Sequence, residues 1–301
     1  MVRIGAVRVG IVDVGANTLR LLVAAREDGR IVALREQRVQ LGLGEEIERF
    51  GVIGEEKLAE AAAVARAHVR RARKLGCERV DVLVTSPGRQ ARNGDELVSR
   101  LGEATGVATR VLRSEEEGEL AWYGAVAAAV APPDSIAVCD VGGGSTQLVV
   151  GTISGGPAWA HSTDLGSLRL TRRALGMVPP DQSDLDAART QVEEAFTGLA
   201  PPLALTAIAT GGTARALRRV VGTTLEPETL ANAARKLAKH SDRAIAGEYG
   251  VDPARARTLL AGTLILMEVQ RRLGIRLEIG RGGIREGAAL LALDELAAAI
   301  A

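Results

Sequence analysis

The stretch Asp140-Val-Gly-Gly-Gly-Ser-Thr-Gln147 sets a carboxylate two positions before three successive glycines and two hydroxyl residues, between apolar runs. Glycines lack Cβ, so backbone N–H groups can converge on an anion there, and an adjacent carboxylate can hold a cation or a water that the anion shares. Phosphate is the anion this pattern points to. A related stretch, Asp13-Val-Gly-Ala-Asn-Thr18, lies 140 − 13 = 127 residues earlier and aligns with it without gaps. In both copies the glycine turn leads into another apolar, strand-like run rather than a helix, so neither is a Walker A loop nor a dinucleotide-binding fingerprint. For one such hairpin a tight turn with Gly at positive φ is explanation enough. Two copies in register predict a pair of loops gripping a phosphate chain from both sides, with Thr18, Ser145 and Thr146 as hydroxyl donors. Asp13 and Asp140 end apolar strands, where a carboxylate needs backbone N–H groups, a cation or a cation's water as partner. An Asx-turn holding the hairpin is the alternative for each.

Strands over 7–13 and 19–25 must position the first turn, with a third strand over 31–40, a helix from Gly54 to Leu75, and a strand–helix–strand succession to residue 114. A helix then runs from Ser114 towards Ala131, closed by Pro132-Pro133. The pattern restarts at residue 135, and helices are predicted near 182–199, 212–221, 227–248 and 253–273. The last has Asp252 as N-cap, Pro253 at its first position and Gly274 at its end. A strand at "IRLEIG" and a helix from about 285 complete the chain. A repeat this long exceeds any solenoid period and indicates two similar α/β domains, 1–121 and 122–301.

Composition bounds the rest. The 301 residues are 47% hydrophobic, 25% charged and 2% aromatic, so the core is built from Ala, Leu, Val and Ile. A formal net charge of +1 offers no global attraction for nucleic acid or a membrane surface. The basic run at 66–74 reads as the outer face of an amphipathic helix. Cys77 and Cys139 each lie in an apolar run and suit buried thiols, and the N-terminus lacks a signal-peptide pattern; a cytoplasmic protein is the expectation. The three histidines show no ligand spacing.

The duplicated hairpin resembles that of the actin-like ATPase superfamily, which implies an α/β fold of two actin-like (ribonuclease H-like) domains with an interdomain phosphate-binding cleft. The segments "DVGANTLRLLVA", "TSPGRQARNGDEL", "LRSEEEGELAWYG", "DVGGGSTQLVVG", "ATGGTARAL" and "GGIREG" resemble, in this order, the exopolyphosphatase/guanosine pentaphosphatase (Ppx/GppA) family across essentially the whole chain. Longer members carry further C-terminal domains, so the expectation is the short, two-domain form. The resemblance implies removal of terminal phosphoryl groups from inorganic polyphosphate, or of the γ-phosphate of pppGpp, by water with Mg²⁺ or another divalent cation. A homodimer is compatible with it.

Residue by residue, the resemblance makes Glu117 the group that orients or deprotonates water, although Ser114-Glu-Glu-Glu117 also reads as a helix capping box. It places Arg89 and Arg285 on phosphates, alongside Asp13, Gly15, Asn17, Thr18, Gly142, Gly143, Gly144, Ser145 and Thr146. Asp140 and Gln147 would hold the metal. Gly212 and Thr213, at a predicted helix start, would meet an anion or a nucleotide, or form a plain strand-to-helix turn. The chain departs from the family pattern at Gln147, where a glutamate is usual, and at Ser114, Gly118 and Glu119, which replace Gly and Ala-Arg around Glu117. A binding protein with disabled catalysis is the reading of another class.

Overall fold

The computed structural model describes residues 7–130, 133–176 and 179–300. Two compact units emerge: Met1–Ala128 joined by Ile284–Ala301, and Ala129–Gly283.

In the first unit β1 (Arg8–Val14), β2 (Thr18–Glu27) and β3 (Arg30–Gln40) form an antiparallel meander. Helices α1 (Leu43–Phe50) and α2 (Glu55–Lys74) lead to β4 (Arg79–Val84), parallel to β1. Then α3 (Ser86–Gln90) and α4 (Gly94–Thr105) precede β5 (Thr109–Val111), followed by α5 (Ser114–Ala127). The sheet order is β3-β2-β1-β4-β5. Strand β1 is apolar on both faces because both are covered: Val12 and Val14 join a core with α2 and α4, while Val9 and Ile11 pack with Leu120, Ala289 and Leu293. Each such fully buried aliphatic side chain contributes about 2 kcal/mol of transfer free energy, enough to fix the register of the sheet.

The second unit repeats the scheme. Strands β6 (Ser135–Val141), β7 (Thr146–Thr152) and β8 (Gly156–Thr163) form the meander, and α6 (Ser167–Leu170) runs into a π-helical turn at Thr171–Leu175. Next come α7 (Gln182–Ala195), β9 (Thr206–Thr210) parallel to β6, α8 (Gly211–Val221), β10 (Thr224–Leu225), α9 (Pro227–Leu237), α10 (Asp242–Tyr249), α11 (Pro253–Leu273) and β11 (Leu277–Ile279). The sheet order β8-β7-β6-β9-β11 matches that of the first unit strand for strand, with β10 added at the edge. Both units thus have the ribonuclease H-like topology expected of an actin-like protein, and the loops β1–β2 and β6–β7 are equivalent.

Several elements differ from expectation. The last helix, α12 (Ile284–Ile300), belongs to the first unit and not to the second, because it lies against α5: a Cβ at Gly287 would stand 1.9 Å from the Leu120 carbonyl oxygen. The first unit runs to Ala128, past the expected limit at 121. The predicted helix 227–248 is two, interrupted where the Ser241 hydroxyl caps α10 by accepting from Ala244 N–H at 3.3 Å. Helix α5 stops at Ala127, and the expected end at Ala131 and Pro132 lies outside the described residues. The basic run is the outer face of α2, as expected: Arg66, Arg70, Arg71, Arg73 and Lys74 are exposed while His68, Val69 and Ala72 are buried. No helix among the described residues is long and apolar enough to cross a membrane.

Candidate phosphate and cation site

The β6–β7 loop is held from behind. Ser167 N–H donates to the Gly142 carbonyl at 2.9 Å, and the N–H groups of Leu168 and Arg169 donate to the Gly143 carbonyl at 2.9 and 3.1 Å. In a planar trans peptide C=O and N–H point in opposite directions, so the N–H groups of Gly143 and Gly144 are aimed away from α6. Consecutive N–H groups aimed outward form an anion cradle. None of Gly15, Gly142, Gly143 and Gly144 has positive φ. Close packing bears on two glycines here: a Cβ at Gly142 would stand 3.1 Å from the Ser145 carbonyl oxygen, and one at Gly166, before α6, would stand 2.4 Å from the Gly143 carbonyl carbon. The β1–β2 loop is backed in the same way, with the Ala16 carbonyl accepting from Gly44 N–H at 2.7 Å and the Asn17 carbonyl from Leu41 and Gly42 at 3.0 and 3.1 Å.

Asp140 stands in a row of oxygen-bearing side chains. It is paired across the sheet with Gln147 on β7 and Thr210 on β9, and Gln147 is paired in turn with Ser162 on β8. Directly opposite residues share a face with Cβ atoms about 5 Å apart. Asp140, Gln147 and Thr210 are 6%, 2% and 1% exposed. The Gln147 amide nitrogen donates to Ser145 Oγ at 3.0 Å and Ser162 Oγ at 3.1 Å, whereas its Oε1 and the Thr210 hydroxyl are buried without a hydrogen-bond partner. Such orphaned acceptors beside a carboxylate are what a hard cation uses. The row fits Mg²⁺ held by one carboxylate and neutral oxygens, with water and phosphate completing the sphere. No group of three His, Cys, Asp or Glu residues suited to a metal occurs among the described residues.

The equivalent row in the first unit differs. Asp13 is half-buried and pairs with Arg20 and Leu83, and Arg20 pairs with Arg38. Arg20 Nε donates to Thr18 Oγ1 at 3.1 Å, the same reach-back over two residues that Gln147 makes to Ser145. This row suits an anion.

Glu117 does not cap α5. The N-cap is Arg113, without a side-chain cap bond, and Ser114 already lies inside the helix, so the capping-box alternative is overturned. The buried Glu117 carboxylate instead accepts from Arg89 Nη2 at 2.7 Å, while Arg89 Nη1 donates to the Leu112 carbonyl at 2.7 Å. Asn93 fixes the turn that follows α3, the short helix carrying Arg89, by exchanging two hydrogen bonds with the Ile53 backbone, at 2.9 and 2.8 Å. Arg285, buried in the first turn of α12, faces Glu36 and Glu286, each at 3.5 Å. Glu119 points elsewhere: it is exposed and lines a surface hollow together with Arg79, Arg110 and Tyr123, as expected for a helical residue two positions on. Its charge is therefore not turned toward Glu117.

Of two expected donors, Thr146 serves the scaffold, whereas the Thr213 hydroxyl is buried without a hydrogen-bond partner. Thr146 donates its hydroxyl proton to the Leu165 carbonyl at 2.6 Å, and Thr213 is fully buried against α11, where a Cβ at Gly262 would stand 2.3 Å from its side chain. Gly211 has φ +85° and leaves room for Asp140, whose Oδ1 would lie 2.2 Å from a Cβ there. Over Gly212 lies the Arg255 guanidinium, 2.4 Å from where a Cβ would be. Arg20, Thr210, Ser162 and Arg255 were not nominated from sequence. Thr210 stood in the quoted ATGGT segment and Arg20 in DVGANTLRLLVA, but Ser162 and Arg255 carried no signal. The thiols take no part: burial and the neighbouring Asp140 push Cys139 up, and burial pushes Cys77 up to about 11.

The sequence profile of the Ppx/GppA phosphatase family matches residues 22–296 of this chain. Exopolyphosphatase 1 of Mycobacterium tuberculosis is 31% identical over 315 aligned positions, covering 95% of this chain and 88% of that protein. The Mycobacterium leprae exopolyphosphatase 1 is 30% identical over 317, covering 95% and 90%. Two solved structures share the fold: an exopolyphosphatase from Cytophaga hutchinsonii (TM-score 0.86, 21% identity, 96% and 98% of the two chains) and the Aquifex aeolicus Ppx/GppA family member (TM-score 0.82, 22% identity, 97% and 98%).

Proposed function

We propose, since this chain belongs to the Ppx/GppA phosphatase family and is thereby a phosphatase, that it removes the terminal phosphate of inorganic polyphosphate by attack of water. The observation that carries this reading is the Glu117–Arg89 pair at 2.7 Å, which couples a buried carboxylate to a phosphate-seeking guanidinium. Arg89 draws the terminal phosphoryl oxygens next to Glu117, balancing their charge. Glu117 orients a water and accepts its proton as the new P–O bond forms and the anhydride P–O bond breaks, leaving the shortened chain as the departing oxyanion. The N–H groups of Gly143 and Gly144 and the Ser145 hydroxyl hold phosphate oxygens on the second loop; Gly15, Asn17, Thr18 and Arg20 hold them on the first. Asp140, Gln147 and Thr210 would hold Mg²⁺, which supplies charge neutralisation to the phosphates when bound. Arg285 adds a further guanidinium for the phosphates, and Gly212 with Arg255 meets an anion at the start of α8.

Orthophosphate release from long-chain polyphosphate, with Mg²⁺ or with chelator, tests this directly. Mg²⁺-dependent release that pppGpp does not outcompete is expected. Faster turnover of pppGpp would move the assignment to the pentaphosphatase reaction, and binding of polyphosphate without release would establish the binding protein instead.

A further inference from the structure

We infer that the row around Asp140 takes up its divalent cation only together with the phosphate chain, because Gln147 leaves the free protein one charge short of a preformed metal site. This rests on the function proposed above and concerns the order in which that site is filled. Asp140 is the single carboxylate of the row, flanked by the amide of Gln147 and the hydroxyl of Thr210. Both neutral oxygens, Gln147 Oε1 and Thr210 Oγ1, are buried and lack hydrogen-bond partners, so they are placed as ligands, but neither brings charge. With the amide nitrogen donating to Ser145 and Ser162 at 3.0 and 3.1 Å, the oxygen is the amide atom left for a cation. Mg²⁺ surrenders its hydration reluctantly and is commonly held by one or two carboxylates plus substrate phosphates. A row with one carboxylate leaves most of the neutralisation to the chain's own oxygens. A second carboxylate at position 147 would bind the cation in advance, and would repel a polyanion arriving without it.

Linkage makes the consequence reciprocal: the chain must raise cation affinity by the same factor by which the cation raises chain affinity. The test uses Mn²⁺ as probe, followed by electron paramagnetic resonance, in Glu117→Gln protein so that the chain is held and not consumed. Free protein is expected to bind Mn²⁺ at least tenfold more weakly than protein saturated with polyphosphate, with free polyphosphate as the blank. Adding Gln147→Glu should tighten Mn²⁺ binding to the free protein at least tenfold and shrink the effect of the chain. Equal Mn²⁺ affinity of the free protein with Gln or Glu at 147 overturns the inference, whether or not polyphosphate is the substrate. Lack of polyphosphate binding in any form overturns the function reading, and leaves the comparison of the two free proteins to decide the role of Gln147.

Discussion

The β1–β2 and β6–β7 hairpins are two versions of one device, and they have diverged in charge rather than in shape. Each sets an aspartate at the end of the first strand, backs its loop with N–H groups from the segment after the third strand, and returns a side-chain nitrogen to the loop hydroxyl two residues earlier. What differs is the row beside the aspartate. Arg20 and Arg38 extend it in the first unit; Gln147, Ser162 and Thr210 extend it in the second. One framework therefore presents cationic groups in one copy and neutral oxygen donors in the other, which suits the two kinds of partner in phosphoryl transfer, phosphate oxygens and a hard cation. The lesson is that similar backbone hydrogen bonds hold both loops, while the side chains across the neighbouring strands set the charge beside each aspartate.

The largest departure from symmetry is Glu117, paired with Arg89 in the first unit only. Glu117→Gln keeps an acceptor for the guanidinium and is expected to lower kcat by about 100-fold or more with the thermal midpoint within a few degrees, checked by orthophosphate release and melting curves. Backing of the loops gives the next contrast. Gly166→Ala drives a Cβ into the Gly143 carbonyl carbon at 2.4 Å and should cost about 3 kcal/mol with a marked loss of substrate affinity. In the first unit Gly42→Ala meets nothing nearer than 4.0 Å and suffers only its φ of +71°, about 1 kcal/mol. Denaturant melts of the two variants give the comparison, and an equal cost would break it. Arg20→Gln makes the first row resemble the second; a several-fold rise in KM, a shallower salt dependence and little change in kcat are expected from rates across a salt series.

The smallest effect concerns pH. Burial of His68 against the first sheet holds its imidazole below the usual range, so the folded state disfavours the charged form. The unfolded chain protonates first as pH falls through about 6.5. The stabilisation is thus complete above that pH and lost on acidification. The thermal midpoint should fall between pH 7 and 5, with a flatter slope in His68→Gln.

Both loops and the strands that flank them were legible in the sequence, because a period-two apolar pattern broken by Asp-Val-Gly is a local signal repeated at a fixed offset; β8 and β9 carry no such signal and were not named as strands. Glu117 and Arg89 were legible individually, but their contact was not, since 28 residues and a strand separate them and only the fold closes that distance. The placement of α12 was hidden for the same reason: nothing in "IREGAALLALDEL" says which sheet it covers, and the glycine that admits α5 looks like any other. Thr146 and Thr213 looked like donors because a hydroxyl beside a glycine loop suggests a ligand. The Leu165 carbonyl that takes the Thr146 proton, and the helix α11 that packs on Thr213 at Gly262, come from distant segments.

The division of labour between the hairpins is tested most directly by titrating Mg²⁺ into the polyphosphate reaction of two equivalent variants, Asp13→Asn and Asp140→Asn. A half-activating Mg²⁺ concentration raised at least tenfold in Asp140→Asn and unchanged in Asp13→Asn is the expected result. Equal shifts in the two, or a larger shift in Asp13→Asn, would contradict the assignment of the cation to the second hairpin.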